Sequence, residues 1–99
     1  MMNKLAKVFT AELIGTFVFL GVIIHIVSKN EDNAWIKIGL TLAVAILFLG
    51  SVSGGKFNPA VSFMFFVAEK TSMSQFLVEC GAQIVGALVA LYLYKVVIR

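Results

Sequence analysis

Few side chains in this sequence can do chemistry, and most of them sit inside stretches that are otherwise apolar. Glu12 lies in A-E-L-I-G-T-F, Lys56 and Asn58 in S-G-G-K-F-N-P-A-V, and Glu79 in F-L-V-E-C. An ionisable group inside an apolar span is costly and functional by default, so Glu12 either has a partner there or lies close enough to a surface to be solvated. Glu79 poses the same choice between a surface-reaching carboxylate and a buried partner. Lys56 is either a snorkelling lysine or a positive charge set beside a water-filled path. Asn58 precedes Pro59, and that order is a helix start: an N-cap side chain, then a proline where the missing N–H costs nothing. Beyond capping, its amide NH2 could donate to a passing oxygen. His25, alone at the end of an apolar run, reads as interfacial packing or as a pH gate. Cys80 is the single cysteine, which leaves no intrachain disulfide and suits a small core residue. No nucleophile stands with a base and no ligands cluster at metal spacing, so no enzyme, metal or cofactor is expected.

The composition says what must hold these residues. Of 99 residues 61% are apolar and 13% charged, against roughly 45–50% and about 25% in soluble domains. Mean hydropathy is +1.02. This is an integral membrane protein by composition, expected in the cell membrane. The net charge of +3 is spread over polar gaps, so no basic face for nucleic acid can form. Lys4 and Lys7 before an apolar run resemble a secretory signal, but Thr10 and Glu12 interrupt it, no cleavage site follows, and the run continues to Val27.

Three apolar segments are long enough to span as helices: 8–27, 35–50 and 74–98, about 20 residues giving ~30 Å, the thickness of a bilayer core. Trp35 sits where an interfacial aromatic belongs, and Tyr92, Tyr94, Lys95 and Arg99 mark the far end of the third. Between the second and third, residues 51–68 hold a Ser/Gly-rich loop and then a helix of about ten residues, ~15 Å, which cannot span. The expected fold is all-α: three transmembrane helices and one re-entrant half-helix in a single repeat, 1–99. Each long segment carries small residues four apart, Ala11 and Gly15, Gly39 and Ala43, and Ala82, Gly86 and Ala90, as close helix packing in lipid requires. Non-helical backbone at membrane depth survives only when buried in protein or lining a water-filled cavity, so the loop at 51–57 asks for one or the other.

The string S-G-G-K-F-N-P-A-V-S at 53–62 resembles the first signature loop of the aquaporin and aquaglyceroporin family, usually S-G-G-H-F-N-P-A-V. A-E-L-I-G-T-F at 11–17, I-G-L-T at 38–41 and A-Q-x-x-G-A at 82–87 match in order and spacing, so the resemblance covers essentially the whole chain. It implies that Asn58, Pro59 and Ala60 face a pore. It also implies that the carbonyls of Gly54, Gly55, Lys56 and Phe57 form a ladder of acceptors, and that Glu12 accepts from N–H groups of this loop. The constriction positions it implies are Ile38, Ile46, Gly55 and Val61, the last in place of the arginine found after the second motif of the family.

Family members carry two such halves, inverted relative to each other, and this sequence contains one motif. The resemblance therefore implies an antiparallel homodimer whose half-helices meet near the midplane, in turn part of a larger ring such as a tetramer of dimers. The permeant would be water or a small uncharged solute such as glycerol. Lysine and arginine are balanced between the two sides, Lys4, Lys7, Lys56 and Lys70 against Lys29, Lys37, Lys95 and Arg99, where a single fixed orientation favours a bias. Two other readings remain open: a non-conducting half-subunit that regulates another channel chain, and a small dual-topology carrier coupled through Glu12 or Glu79.

Overall fold

The structure, a computed structural model, describes residues 1–99. Its first helix, α1, runs Lys4–Lys29, further at both ends than the apolar run 8–27. Capping rather than hydropathy sets the ends. Asn3 Oδ1 accepts from the Ala6 N–H at 2.8 Å, and Asn30, in the left-handed region at φ 51°, returns its N–H to the carbonyls of Ile26 and Val27. Helix α2 is Ala34–Ser53, α3 is Pro59–Val67 and α4 is Met73–Leu93, the last continued by one π-helical turn, Tyr94–Ile98. There is no strand. Three of these rods, Lys4–Lys29, Ala34–Ser53 and Met73–Ile98, are long and apolar enough to cross a membrane. The long axis of 39 Å suits a hydrocarbon core of ~30 Å plus its interfaces.

Helix α1 lies between α2 and α4, and the α1–α4 contact is the most extensive in the molecule. Glu79, Ala82, Gln83, Gly86 and Ala90 are the buried residues of α4, spaced three and four apart on one face. Gly86 lets the backbones approach: a Cβ there would stand 2.8 Å from the Leu13 carbonyl oxygen. Ala11 and Gly15 are buried on the facing helix. The small pair of α2 is used differently. Gly39 and Ala43 are exposed, and nothing lies within 4 Å of a Cβ at Gly39. Helix α2 packs on α1 alone and buries only Ala45 and Ser53.

Helix α3 packs on α4 alone, with the Phe66 ring stacked on Phe76 at 5.1 Å and Phe63 tilted against the same ring at 6.0 Å. Its nine residues make ~14 Å. The exposed turn of Glu69 and Lys70 ends it in a polar layer, and Ser72 then caps α4 by accepting from the Gln75 N–H at 3.1 Å. Measured from that turn, Asn58 lies about halfway through a ~30 Å core.

Candidate functional site

The backbone reverses between Ser53 and Asn58. Helix α2 continues through Ser51, Val52 and Ser53, residues whose Ser/Gly-rich setting reads as loop, and stops at Gly54, in the left-handed region at φ 92°, whose N–H returns to Gly50 O at 2.8 Å. Phe57 also has positive φ, 51°, a conformation that disfavours a side chain by about 1–2 kcal/mol. Its ring offsets this by burial, at 2% exposure, in the space left by Gly15, where any Cβ would overlap it.

Glu12, fully buried, gathers four donors. Its Oε2 accepts from Ser53 Oγ at 2.6 Å and Lys56 N at 3.2 Å, and its Oε1 from Phe57 N at 2.8 Å and Gln83 Nε2 at 2.9 Å. The second hydrogen of Gln83 Nε2 goes to Ser62 Oγ on α3 at 2.8 Å. One carboxylate thus joins α1, the end of α2, the loop and α4, and through Gln83 also α3.

These bonds orient the other side of the loop. All peptides are trans, so each N–H is antiparallel to the carbonyl preceding it. With the N–H groups of Lys56 and Phe57 turned onto Glu12, the carbonyls of Gly55 and Lys56 face away from it; with Gly55 N on Ser53 Oγ at 3.3 Å, so does that of Gly54. No protein donor reaches the carbonyls of Gly54, Gly55, Lys56 or Phe57. Asn58 follows them at the N-terminus of α3. Its Oδ1 accepts from Ala60 N at 2.8 Å, whereas its NH2 meets no protein acceptor and the residue is exposed, as are Pro59 and Ala60. Beside Asn58 opens a cleft of about 260 Å³, lined also by Thr16 and Gln83, whose Oγ1 and Oε1 are buried without a partner. Buried polar atoms of this kind are what ordered water satisfies.

The family profile of the major intrinsic proteins matches residues 2–99. The chain belongs to the major intrinsic protein family. Among curated members it is 35% identical over 85 residues to glycerol uptake facilitator protein-like 6 of Lactiplantibacillus plantarum, covering 83% of this chain and 39% of that one. It is 37% identical over 89 residues to aquaglyceroporin-2 of Rhizophagus irregularis, covering 81% and 28%, and 34% identical over 94 residues to aquaporin-B of Dictyostelium discoideum, covering 87% and 32%. The chain therefore spans about a third of the length of these relatives. No solved structure matches it.

In this major intrinsic protein, two of the four positions expected at a constriction lie together and two lie apart. Ile46 and Gly55 meet, a Cβ at Gly55 lying 3.1 Å from Ile46 Cγ1. Ile38 is eight residues earlier on α2, roughly 12 Å along the axis. Val61 is on α3, which does not touch α2. One chain does not gather these four positions into a ring, because α2 and α3 lie against different helices.

Lys56 and Glu79 take neither of their exposed readings. Lys56 Nζ forms an ion pair with Glu79 Oε2 at 2.7 Å, with side-chain exposures of 6% and 0%, so Lys56 neither snorkels nor stands free beside a water path. The reason is reach: the loop turns inward at Gly54 and Gly55, and α4 presents Glu79 at the same level. Ser53, Ser62 and Gln83 are polar participants with no role assigned from sequence, although the two serines bound the string at 53–62 and Gln83 lies in A-Q-x-x-G-A. The i, i+4 spacing of Glu79 and Gln83 on the small-residue face of an apolar helix is a further signal for Gln83.

At the other end of the molecule His25 Nε2 lies 3.2 Å from Glu31 Oε2, and Lys37 Nζ donates to Glu31 Oε1 at 2.8 Å. The Lys37 hydrogen bond and charge hold the Glu31 carboxyl below its ordinary value. A cleft of about 770 Å³ opens there between α1, α2 and the chain end, away from the loop.

Proposed function

We infer that the chain supplies half of a passive pore for water and small uncharged solutes such as glycerol, completed by a second copy inserted in the opposite orientation. The observation that carries this is the run of four carbonyls without protein donors leading to an asparagine whose NH2 is free. Backbone acceptors at this depth need a partner, and a file of water or hydroxylated solute provides one at each step. The asparagine then donates where the carbonyls accept, turning each passing oxygen.

A half-helix of ~14 Å covers half of the core, so a continuous path needs a second one from the other face. Two N-termini meeting at the midplane, each carrying roughly half a positive charge, disfavour cations and protons. The free face of α2, with Gly39 and Ala43, is what an inverted copy would pack upon, and Ile38 and Val61 would then complete constrictions from two chains. Further assembly into a ring such as a tetramer of dimers in the cell membrane is part of the same reading, and the relatives' names, for glycerol uptake and for aquaporins, support the class of solute.

Vesicles reconstituted with the purified chain alone test it. After an osmotic step with a neutral osmolyte they should shrink several times faster than protein-free vesicles. Lipid-like shrinking would support instead a non-conducting subunit that joins another channel chain.

A further inference from the structure

Lys56 belongs to the loop, yet its ammonium works on three helices. Nζ donates to Glu79 Oε2 on α4 and, at 3.2 Å, to the carbonyl of Ser53, the last residue of α2, and it lies 5.3 Å from the centroid of the Phe65 ring on α3. Helix α2 has no packing contact with α3 or α4. A single side chain therefore spans a gap that no helix–helix contact closes. The surroundings are shaped for it: a Cβ at Gly54 would stand 3.2 Å from Nζ, and Gln75 Nε2 donates to the same Glu79 oxygen, Oε2, at 3.0 Å, while Oε1 is buried without a protein donor.

Such a pair is a poor stabiliser, because desolvation of the two charges offsets most of their attraction, and apolar replacements of both are often neutral. What it supplies is position. We propose that Lys56 and Glu79 are positioning residues of the loop: their ion pair is a second clamp, beside the Glu12 bonds, between the end of α2 and α4, and it holds in place the Gly54, Gly55 and Lys56 carbonyls that Glu12 and Ser53 orient, and with them the Asn58 amide. Held against Glu79, the ammonium also leaves no free cation on the loop. Selection then falls on hydrogen-bond donors of uncharged solutes rather than on charge. The second part rests on the channel reading above; the clamp itself does not.

The test uses the full chain in vesicles, as parent, Lys56→Met, Glu79→Gln and the double variant, with two readouts. Amide hydrogen exchange at Gly55, Lys56 and Phe57 needs no conduction. The ratio of water to glycerol permeability, per folded protein, reports pore geometry, which a role in stability alone would not move. Each single variant should speed loop exchange by about tenfold or more, leave exchange at the α1–α4 contact unchanged and shift the permeability ratio. The double variant should be no worse than the worse single, as for two residues acting as a unit. Unchanged loop exchange in the single variants overturns the clamp, and so do effects that multiply in the double. Should a single variant fail to fold, the double variant, which leaves no charge unpaired, decides by the same exchange measurement against the parent. A parent chain that conducts no faster than lipid defeats the channel reading while leaving exchange to judge the clamp.

Discussion

Glu12 shows how much one side chain organises at the residue scale. Four donors converge on two oxygens, and two are backbone N–H groups that no helix could pair. Glu12→Gln replaces one acceptor oxygen with NH2, so the donors of that oxygen lose their partner while buried, at a cost of roughly 2–4 kcal/mol. Thermal unfolding in detergent should register this as a clearly lowered midpoint and a smaller assembled fraction, with conduction per assembled protein close to the parent's. A Glu12→Gln protein that melts with the parent would mean the loop donors have other acceptors. Glu12 and Asn58 could be singled out from sequence because their signals are local: a lone acid in an apolar run, and an asparagine directly before a proline. Lys56 and Glu79 could not be paired that way. They are 23 residues apart on different elements, each has an ordinary surface reading, and no periodicity tells which polar residues meet across helices.

Two glycines separate the roles of helix faces at the scale of elements. Gly86 faces backbone, so Gly86→Ala must push α1 and α4 apart, costing about 1–3 kcal/mol. Gly39 faces nothing within the chain, so Gly39→Ala should leave the fold of one chain intact and weaken only self-association. Unfolding midpoints and crosslinking yields, measured side by side, check both. Loss of fold in Gly39→Ala, or unchanged stability in Gly86→Ala, would contradict this assignment of faces. Hydropathy is enough to find three spans and one half-helix, since each depends on a long sum over residues. It does not find their ends. Asn3 caps α1 ahead of the apolar run, and α2 extends to Ser53 because that hydroxyl donates to Glu12, a contact 41 residues away in the chain.

For the whole molecule, the pairing of Lys56 changes the account of orientation. With that lysine held inside the protein, the surface cations number three on the side of Lys4, Lys7 and Lys70 and four on the side of Lys29, Lys37, Lys95 and Arg99, still without a decisive bias. A cysteine introduced near Met1 and labelled from outside intact cells should be about half protected. Complete labelling or complete protection would remove the inverted-copy reading. The same ion pair also bears on biosynthesis. Lys56 reaches the membrane region ahead of Glu79, 23 residues behind it in the chain, and Glu12 waits for Gln83, its partner 71 residues downstream. Until α4 arrives, an ammonium and a carboxylate are incompletely partnered, and lipid is the wrong solvent for both. The early helices therefore need a polar holding place, and the insertion machinery is where one exists. Chains stalled so that the loop has emerged from the ribosome while α4 has not should remain crosslinked to that machinery and full-length chains should be released; equal release of both would show that the first two helices and the loop can enter lipid unaided.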